Sequence, residues 1–463
     1  MKCLLTGLAV AAGLTLAAPA GAQQFVQVPG GSWVTDITPN GDIAVGFGNG
    51  GAFYWNWRTD PSPTFIGGND AQAVSDDGSV IVGCIDDPVL QREVAARWTQ
   101  ATGWVSLGWL PNALSCPSRS NAYDVSGDGS KVVGLSWDGC SGRGFIWDAV
   151  NGMQELEVMA NGGNRASVIS TDGTTIGGFA QGNSRTSTFW DAATLAGTVL
   201  DVTQGGEVHG FNGDGTIAVG TADQGGANGW YDAYAWTQAT GMVNLGSENP
   251  DMAGNAVDLS EDGQIIVGYD VAGLARNGWI WQNGLGITDA NDYMASVGLT
   301  GLPEILVCTA VSDDGGVVTG GFDAGGGGFL SGGFIADIDT GPWLNLGGGT
   351  VGFNGVPFLK GDGPLTAGSP ATLTLTTTPP NAIMLAWLSF ASVPLSAFGG
   401  TIHANPFANQ FFFFSDATGA WTATVPWPAG IPPGTEVWFQ FLVEDVTSIY
   451  GIILSNGVKA TTP

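Results

Sequence analysis

Only two histidines, His209 and His403, occur in 463 residues. A Ser-His-Asp site needs one of them beside an activated serine, and the chain has no G-x-S-x-G turn to present one. HExxH and paired CxxC patterns are missing as well, which removes the common zinc-site grammars. Cations are scarce: 12 Lys and Arg stand against 41 Asp and Glu, a formal charge of −29. That field repels phosphate backbones and anionic membranes, so no nucleic-acid partner is expected. Beyond residue 18 no apolar run approaches the roughly 20 residues of a membrane-spanning helix, and no transmembrane segment is expected. The run Gly347–Gly352 spells GxGxxG, but without a strand-turn-helix context it does not read as a dinucleotide site.

What is present begins with a leader. Lys2, the apolar stretch Leu4 to Ala18 and the small residues Ala20-Gly21-Ala22 form a secretory signal peptide pattern over residues 1–22, so export to the extracellular space is expected. No Cys stands at the cleavage point, which argues against a lipid anchor. The remainder is rich in Gly (76) and Trp (18), a composition of turns and large apolar anchors and not of a disordered acidic tail.

One phrase recurs seven times: ITPNGDIAVG, VSDDGSVIVG, VSGDGSKVVG, ISTDGTTIGG, FNGDGTIAVG, LSEDGQIIVG and VSDDGGVVTG. Its turn glycines are Gly41, Gly78, Gly129, Gly173, Gly215, Gly263 and Gly315, spaced from 37 (41 to 78) to 52 residues (263 to 315). Repeats of that length suit one four-stranded propeller blade. The Asn-Gly and Asp-Gly pairs predict two-residue type I′ hairpins. The continuous apolar run after each turn predicts a strand buried on both faces. Each phrase is followed by a strand ending in Trp, at 55, 98, 147, 190, 236 and 281; in the seventh copy Ala336 takes that place. Those tryptophans read as packing between blades.

The paired phrases xVSxDGxxxVG and xAxxWxxxxGxxxLG resemble the HAF family of extracellular repeats of secreted bacterial proteins, over about residues 25 to 347. The resemblance implies a secreted propeller-like array and assigns no catalytic residue. The expected fold is therefore all-β: a seven-bladed β-propeller over 23–347, closed by Phe25-Val26-Gln27-Val28 completing the last blade, then a small β-sandwich over 348–463. The second domain is read from the alternation of Ala371 to Thr376 and from Pro379-Pro380 and Pro432-Pro433. Its sequence also resembles the accessory sandwich domain of many exported bacterial proteins.

Four cysteines follow the leader. Cys116 and Cys140 flank the first two strands of the third repeat and are expected to form a disulfide in an oxidising compartment. Cys84 and Cys308 are expected to be unpaired and buried. The turn carboxylates Asp77, Asp128, Asp172, Asp214, Asp262 and Asp314 are of the kind that holds calcium, but hairpin geometry alone requires one Asp per turn, so no cofactor or metal is expected and calcium is the alternative. The phrase resembles the Asp-box of propeller glycosidases too, yet lacks the residue that box has between Asp and Gly.

These absences point to a secreted, non-catalytic, monomeric binding protein whose ligand is an extracellular glycan or protein, with no catalytic residues assigned. A carboxylate-based glycosidase is the alternative, because such a site needs only a spaced acid pair. The loops Asp86 to Val94, Leu110 to Arg119 and Asp223 to Asp232 vary most between repeats. Trp109, Trp137 and Trp230 lie outside the regular Trp position and are candidates for stacking on sugar rings.

Overall fold

The computed structural model describes residues 23–463 except 31, 90, 112–118, 138–140, 202–204, 224–230, 339–341, 347–348, 351 and 353–355. The fold is all-β; among the described residues a single short helix, Ala290–Ser296, interrupts the strands, capped by the Asp289 carboxylate on the Asn291 and Asp292 N–H groups. No helix among them is long and apolar enough to cross a membrane.

Seven four-stranded antiparallel sheets follow one another along the first part of the chain. Their inner strands are Trp33–Ile37, Asp70–Val74, Arg119–Val125, Asn164–Ile169, Gly206–Phe211, Ala253–Leu259 and Glu304–Val311. Each sheet packs on the next, and the seventh packs on the first, so these strands surround a central channel. The seventh sheet takes its fourth strand from the opposite end of the chain. Gln24–Gln27 pairs antiparallel with Gly332–Asp337, Phe25 opposite Ala336, and Val28 N–H continues the ladder to the Gly333 carbonyl at 2.8 Å. This is the closure expected from the sequence.

The recurrent tryptophans lie where the repeat implied. Trp55, Trp98, Trp147, Trp190, Trp236 and Trp281 each join the apolar cluster between their own sheet and the preceding one. Between the sixth and seventh sheets the cluster holds Ala336 instead, with Phe25 packed beside it and its ring stacked on Phe334 at 5.0 Å.

The hairpin turns depart from the expected type. A two-residue type I′ turn requires positive φ at both central residues. Here only the glycine is left-handed, as at Gly78 (φ 72°). The turn spans four residues, with Gly78 N–H donating to the Ser75 carbonyl at 2.8 Å. The Ser75 hydroxyl then accepts from Val80 N–H (3.0 Å) and donates to Asp77 Oδ1 (2.9 Å), which accepts from Ser79 N–H (2.9 Å). This is a side-chain solution to the backbone groups a turn leaves free. It recurs with Ser126/Asp128, Ser170/Asp172, Ser260/Asp262 and Ser312/Asp314, and with Asn212/Asp214.

The phrase's last residue has its own reason. In all seven inner strands the pairing with the second strand slips by one residue, leaving Thr35, Gln72, Tyr123, Ser167, His209, Val257 and Thr309 unpaired in a bulge. Opposite each bulge stands the closing glycine: Gly46, Gly83, Gly134, Gly178, Gly220, Gly268 or Gly320. A Cβ on any of them would run into an inner-strand carbonyl oxygen, such as that of Asn121 against Gly134.

In the C-terminal part, one sheet orders Trp343–Asn345, Val458–Thr461, Glu436–Glu444, Ile383–Ser389 and Asn409–Phe414, with Ile452–Leu454 also on Glu436–Glu444. A three-stranded sheet of Phe358–Asp362, Pro370–Thr376 and Trp421–Pro426 faces it, and both contribute to one core around Leu359, Leu375, Met384, Phe441 and Val443.

Candidate functional site: the channel and its two mouths

The seven bulge residues all line a central cavity of about 220 Å³. Several bind the next sheet through their side chains. The Thr35 hydroxyl donates to the Ala71 carbonyl (2.8 Å), and Thr309 donates to Val34 O (3.0 Å) across the closure. His209 Nδ1 lies 2.9 Å from the Ala256 carbonyl; a carbonyl only accepts, so Nδ1 carries the proton.

One position further on, three sheets carry a carboxylate. Asp36 accepts from Ile37 N–H in its own strand (2.8 Å) and from Val74 N–H in the next sheet (2.9 Å). Asp124 does the same for Val125 (2.8 Å) and Ile169 (2.7 Å), and Asp258 receives Val311 N–H at 2.8 Å. These acids are inter-sheet fasteners. Burial pushes Asp124 up to about 7 and Asp258 up to about 6, and burial, with the repulsion of Asp124 and Asp258 added, holds Asp36 well above the usual aspartate range.

The hairpin turns form one mouth, where backbone bonds run from turn to turn. Asp76 N–H donates to Gly127 O (3.0 Å), Gly127 to Thr171 O (2.8 Å), Asp172 to Gly213 O (3.0 Å), Glu261 to Asp313 O (2.9 Å) and Asp313 to Pro39 O (2.9 Å). Gly213 N–H instead meets the Glu261 carboxylate at 2.6 Å. Pro39 has no N–H to pass the chain on to Asp76. Asp76, Glu261 and Asp313 sit at this mouth beside the turn aspartates. Burial raises Asp76 and Glu261 to about 7, and burial together with the repulsion of Glu261 and Asp76 holds Asp313 well above the usual aspartate range. The C-terminal part lies over it: Val356 N–H bonds the Asp76 carboxylate, and Lys360 Nζ meets Asp262 at 2.5 Å.

At the opposite mouth Glu207, buried on its inner strand, accepts from Arg165, from Ser167 (2.7 Å) and from Arg185 (3.0 Å). Burial works against its charge, but His209 and Arg165 and the hydrogen bonds outweigh it and hold the carboxyl below the usual glutamate range. The guanidinium of Arg185 lies 4.4 Å over the Phe179 ring, and Arg165 lies 5.1 Å from it. The strands Val80–Asp87, Gly103–Gly108 and Ile217–Ala222, which lead into the segments that vary between repeats, end at this mouth. Beside it a groove of about 450 Å³ is lined by Trp33, Tyr269, Arg276 and Phe329, and it shares Thr309 with the channel.

The residues singled out by sequence distribute unevenly. Trp109 and Trp137 are half-buried at the loop mouth, where Leu110 N–H bonds Ser136 Oγ (2.9 Å) and draws their segments together. Trp230, Cys116 and Cys140 lie outside the described residues. Cys84 and Cys308 are free and buried, and burial raises both thiols; Cys84 Sγ donates to Glu93 at 3.1 Å. Among the described residues no group of three or more His, Cys, Asp or Glu is placed to hold a metal ion. Sequence reading passed over the Asp36, Asp124 and Asp258 fasteners, Glu207 with its arginines, and the Trp33 groove. An Asp two residues before the turn Ser or Thr was the available signal for the fasteners.

No family model and no curated protein matches the chain. Solved structures resemble it at low identity. TolB from Acinetobacter baumannii is 16% identical, with 57% of this chain and 64% of that chain covered at a TM-score of 0.36, so this chain spans under two thirds of that protein. An oligogalacturonate lyase from Vibrio parahaemolyticus is 11% identical, with 69% and 97% covered and a TM-score of 0.45. The β-propeller domain of the Trilobed protease from Pyrococcus furiosus is 11% identical, with 65% and 87% covered and a TM-score of 0.36.

Proposed function

We propose that the chain is an exported, non-catalytic binding protein: a closed seven-bladed propeller of HAF-type repeats, with a β-sandwich accessory domain seated at the turn mouth. The ligand, an extracellular glycan or protein, binds at the opposite, loop-bearing mouth. The observation that carries this reading is how the acids are used. The turn aspartates accept from their own hairpins, the channel aspartates fasten neighbouring sheets, and Glu207 is held by two arginines. Little remains from which to build an acid, a base and an oriented nucleophile. Asp76, Glu261 and Asp313, acids with raised pKa values outside these roles, lie beneath the C-terminal part.

The test is capture of glycans and proteins by the mature chain, run beside hydrolysis assays on polysaccharides and peptides. Saturable retention of one ligand without turnover supports the proposal. Steady hydrolysis abolished by Glu261→Gln with Asp313→Asn would replace it with the hydrolase.

A further inference from the structure

The groove beside the loop mouth differs in charge from the rest of the molecule. Among the described residues lining it there is no Asp or Glu, in a chain that has 41 of them. Its one ionic group is Arg276. That guanidinium donates to the Leu274 carbonyl at 3.2 Å and makes no ion pair among the described residues; Arg97 likewise donates to a carbonyl, that of Gly129, whereas Arg58, Arg143, Arg165 and Arg185 are paired with carboxylates. A cation left unpaired in a strongly acidic chain is the local complement of an anionic ligand.

The walls are aromatic and apolar, and they are not covered. Trp33 remains 37% exposed although Phe47 stacks against it at 6.0 Å, and Phe329 is 64% exposed on a glycine-rich loop. An exposed tryptophan held in place by a second ring presents a rigid flat surface at little entropic cost. Such a surface suits the C–H face of a sugar ring. A cavity of about 450 Å³ falls within the range of small-ligand sites. An extended peptide strand is less well provided for. The inner strand here, Glu304–Val311, slips register twice, between Ile305 and Val307 and between Cys308 and Ala310, so it offers no regular run of N–H and C=O groups to extend.

We infer that this groove holds an acidic sugar residue of an extracellular glycan, with Trp33 and Phe329 against the ring and the Arg276 guanidinium on its carboxylate. The inference rests on the binding reading above and names the ligand class. Arg276 supplies the paired N–H donors that a planar carboxylate takes; Trp33 supplies area that does not distinguish acidic from neutral rings.

The experiment is titration calorimetry of the mature full chain with uronic-acid hexasaccharides and with their neutral hexose counterparts. Arg276→Gln, Arg276→Lys and Trp33→Ala are compared, each first shown by circular dichroism to keep its fold. Binding of the acidic series at least tenfold tighter than the neutral one is expected, with Arg276→Gln removing that preference and Arg276→Lys restoring part of it. Trp33→Ala weakens both series. Should Trp33→Ala fail to fold, the Arg276 pair carries the test. Equal binding of the two series, with Arg276→Gln without effect, overturns the inference. So does acidic-sugar binding lost in Trp109→Ala or Trp137→Ala but intact in the groove variants, which leaves the binding reading standing. Retention of peptides alone overturns the sugar assignment, and no binding of any glycan or protein overturns both readings.

Discussion

Phe25 lies directly opposite Ala336, so the one sheet without the repeat's tryptophan receives an aromatic ring from the other end of the chain. The two positions form one packing unit. Deleting residues 23–30 opens an edge and removes that ring, and the melting temperature should fall markedly; an unchanged thermal scan would argue against the closure. Restoring the tryptophan should not help. Ala336→Trp places a large ring where Phe25 already sits, and about 1–3 kcal/mol of destabilisation is expected, recovered in part by adding Phe25→Ala. Additivity of the two changes in denaturant titrations would show that they do not share a site.

The closing glycines should tolerate nothing larger. Gly134→Ala drives a methyl into the Asn121 carbonyl, while Gly103→Ala, at φ 65° with nothing within 4 Å, meets only backbone strain. The first is expected to cost at least about 3 kcal/mol and the second about 1 kcal/mol, by chemical denaturation. Equal costs would mean that the bulge relaxes around the added carbon.

Much of the ring was legible because the repeat writes the same solution seven times. The Asp-Gly turns, the buried second strand and the inter-sheet tryptophans each follow from local chemistry at fixed offsets. The closing glycine was visible as a letter, but its cause was not: it answers a bulge in the partner strand, and a bulge has no composition of its own. The turn type was misjudged for a related reason. Asp-Gly alone suggests two residues, yet the Ser or Thr two places earlier makes the four-residue turn by taking a hydrogen bond from beyond it. The candidate site was less legible still. Trp33, Tyr269, Arg276 and Phe329 come from three different sheets and stand near one another only when the seventh sheet meets the first.

Glu207 and its arginines permit an asymmetric test. The carboxylate is 3% exposed, whereas the Arg185 side chain is 52% exposed. Removing Glu207 strands two cations around a desolvated site, so Glu207→Ala is expected to cost about 3 kcal/mol. Arg185→Ala leaves Arg165 and Ser167 in place and should cost under about 1 kcal/mol. The order of the two denaturation midpoints checks the assignment of Glu207 as the hub.

Stability should fall as pH rises towards neutrality. Asp76 and Asp124 titrate at about 7 and Asp258 at about 6 in the folded chain, against an ordinary value of 3.8. Between those limits the folded state holds protons that the unfolded chain has released, so the fold is favoured at the acid end, and that advantage is lost as pH passes through the folded values. Glu207, depressed below 4.5, has the opposite sign: its contribution is present above the ordinary value and is lost at lower pH. Melting temperatures should therefore be highest near pH 5 and lower at pH 8. Asp124→Asn removes one of the proton-binding groups, so its deficit relative to the parent should be larger at pH 5 than at pH 8; a deficit independent of pH would remove Asp124 from the account.

The thiols separate by burial. Cys84 and Cys308 are free and almost without solvent contact, and burial in both cases disfavours the reactive thiolate. Iodoacetamide at neutral pH should leave them unmodified in the folded chain and label both in denaturant without reductant. If Cys116 and Cys140 form the disulfide expected from their places in the third repeat, the unreduced, unfolded chain prepared without residues 1–22 takes up two labels, and the reduced one takes up four. Closing a loop of about 25 residues contributes on the order of 3 kcal/mol through the unfolded state, so reduction should also lower the unfolding midpoint. Four labels before reduction would show that the chain carries no such bridge.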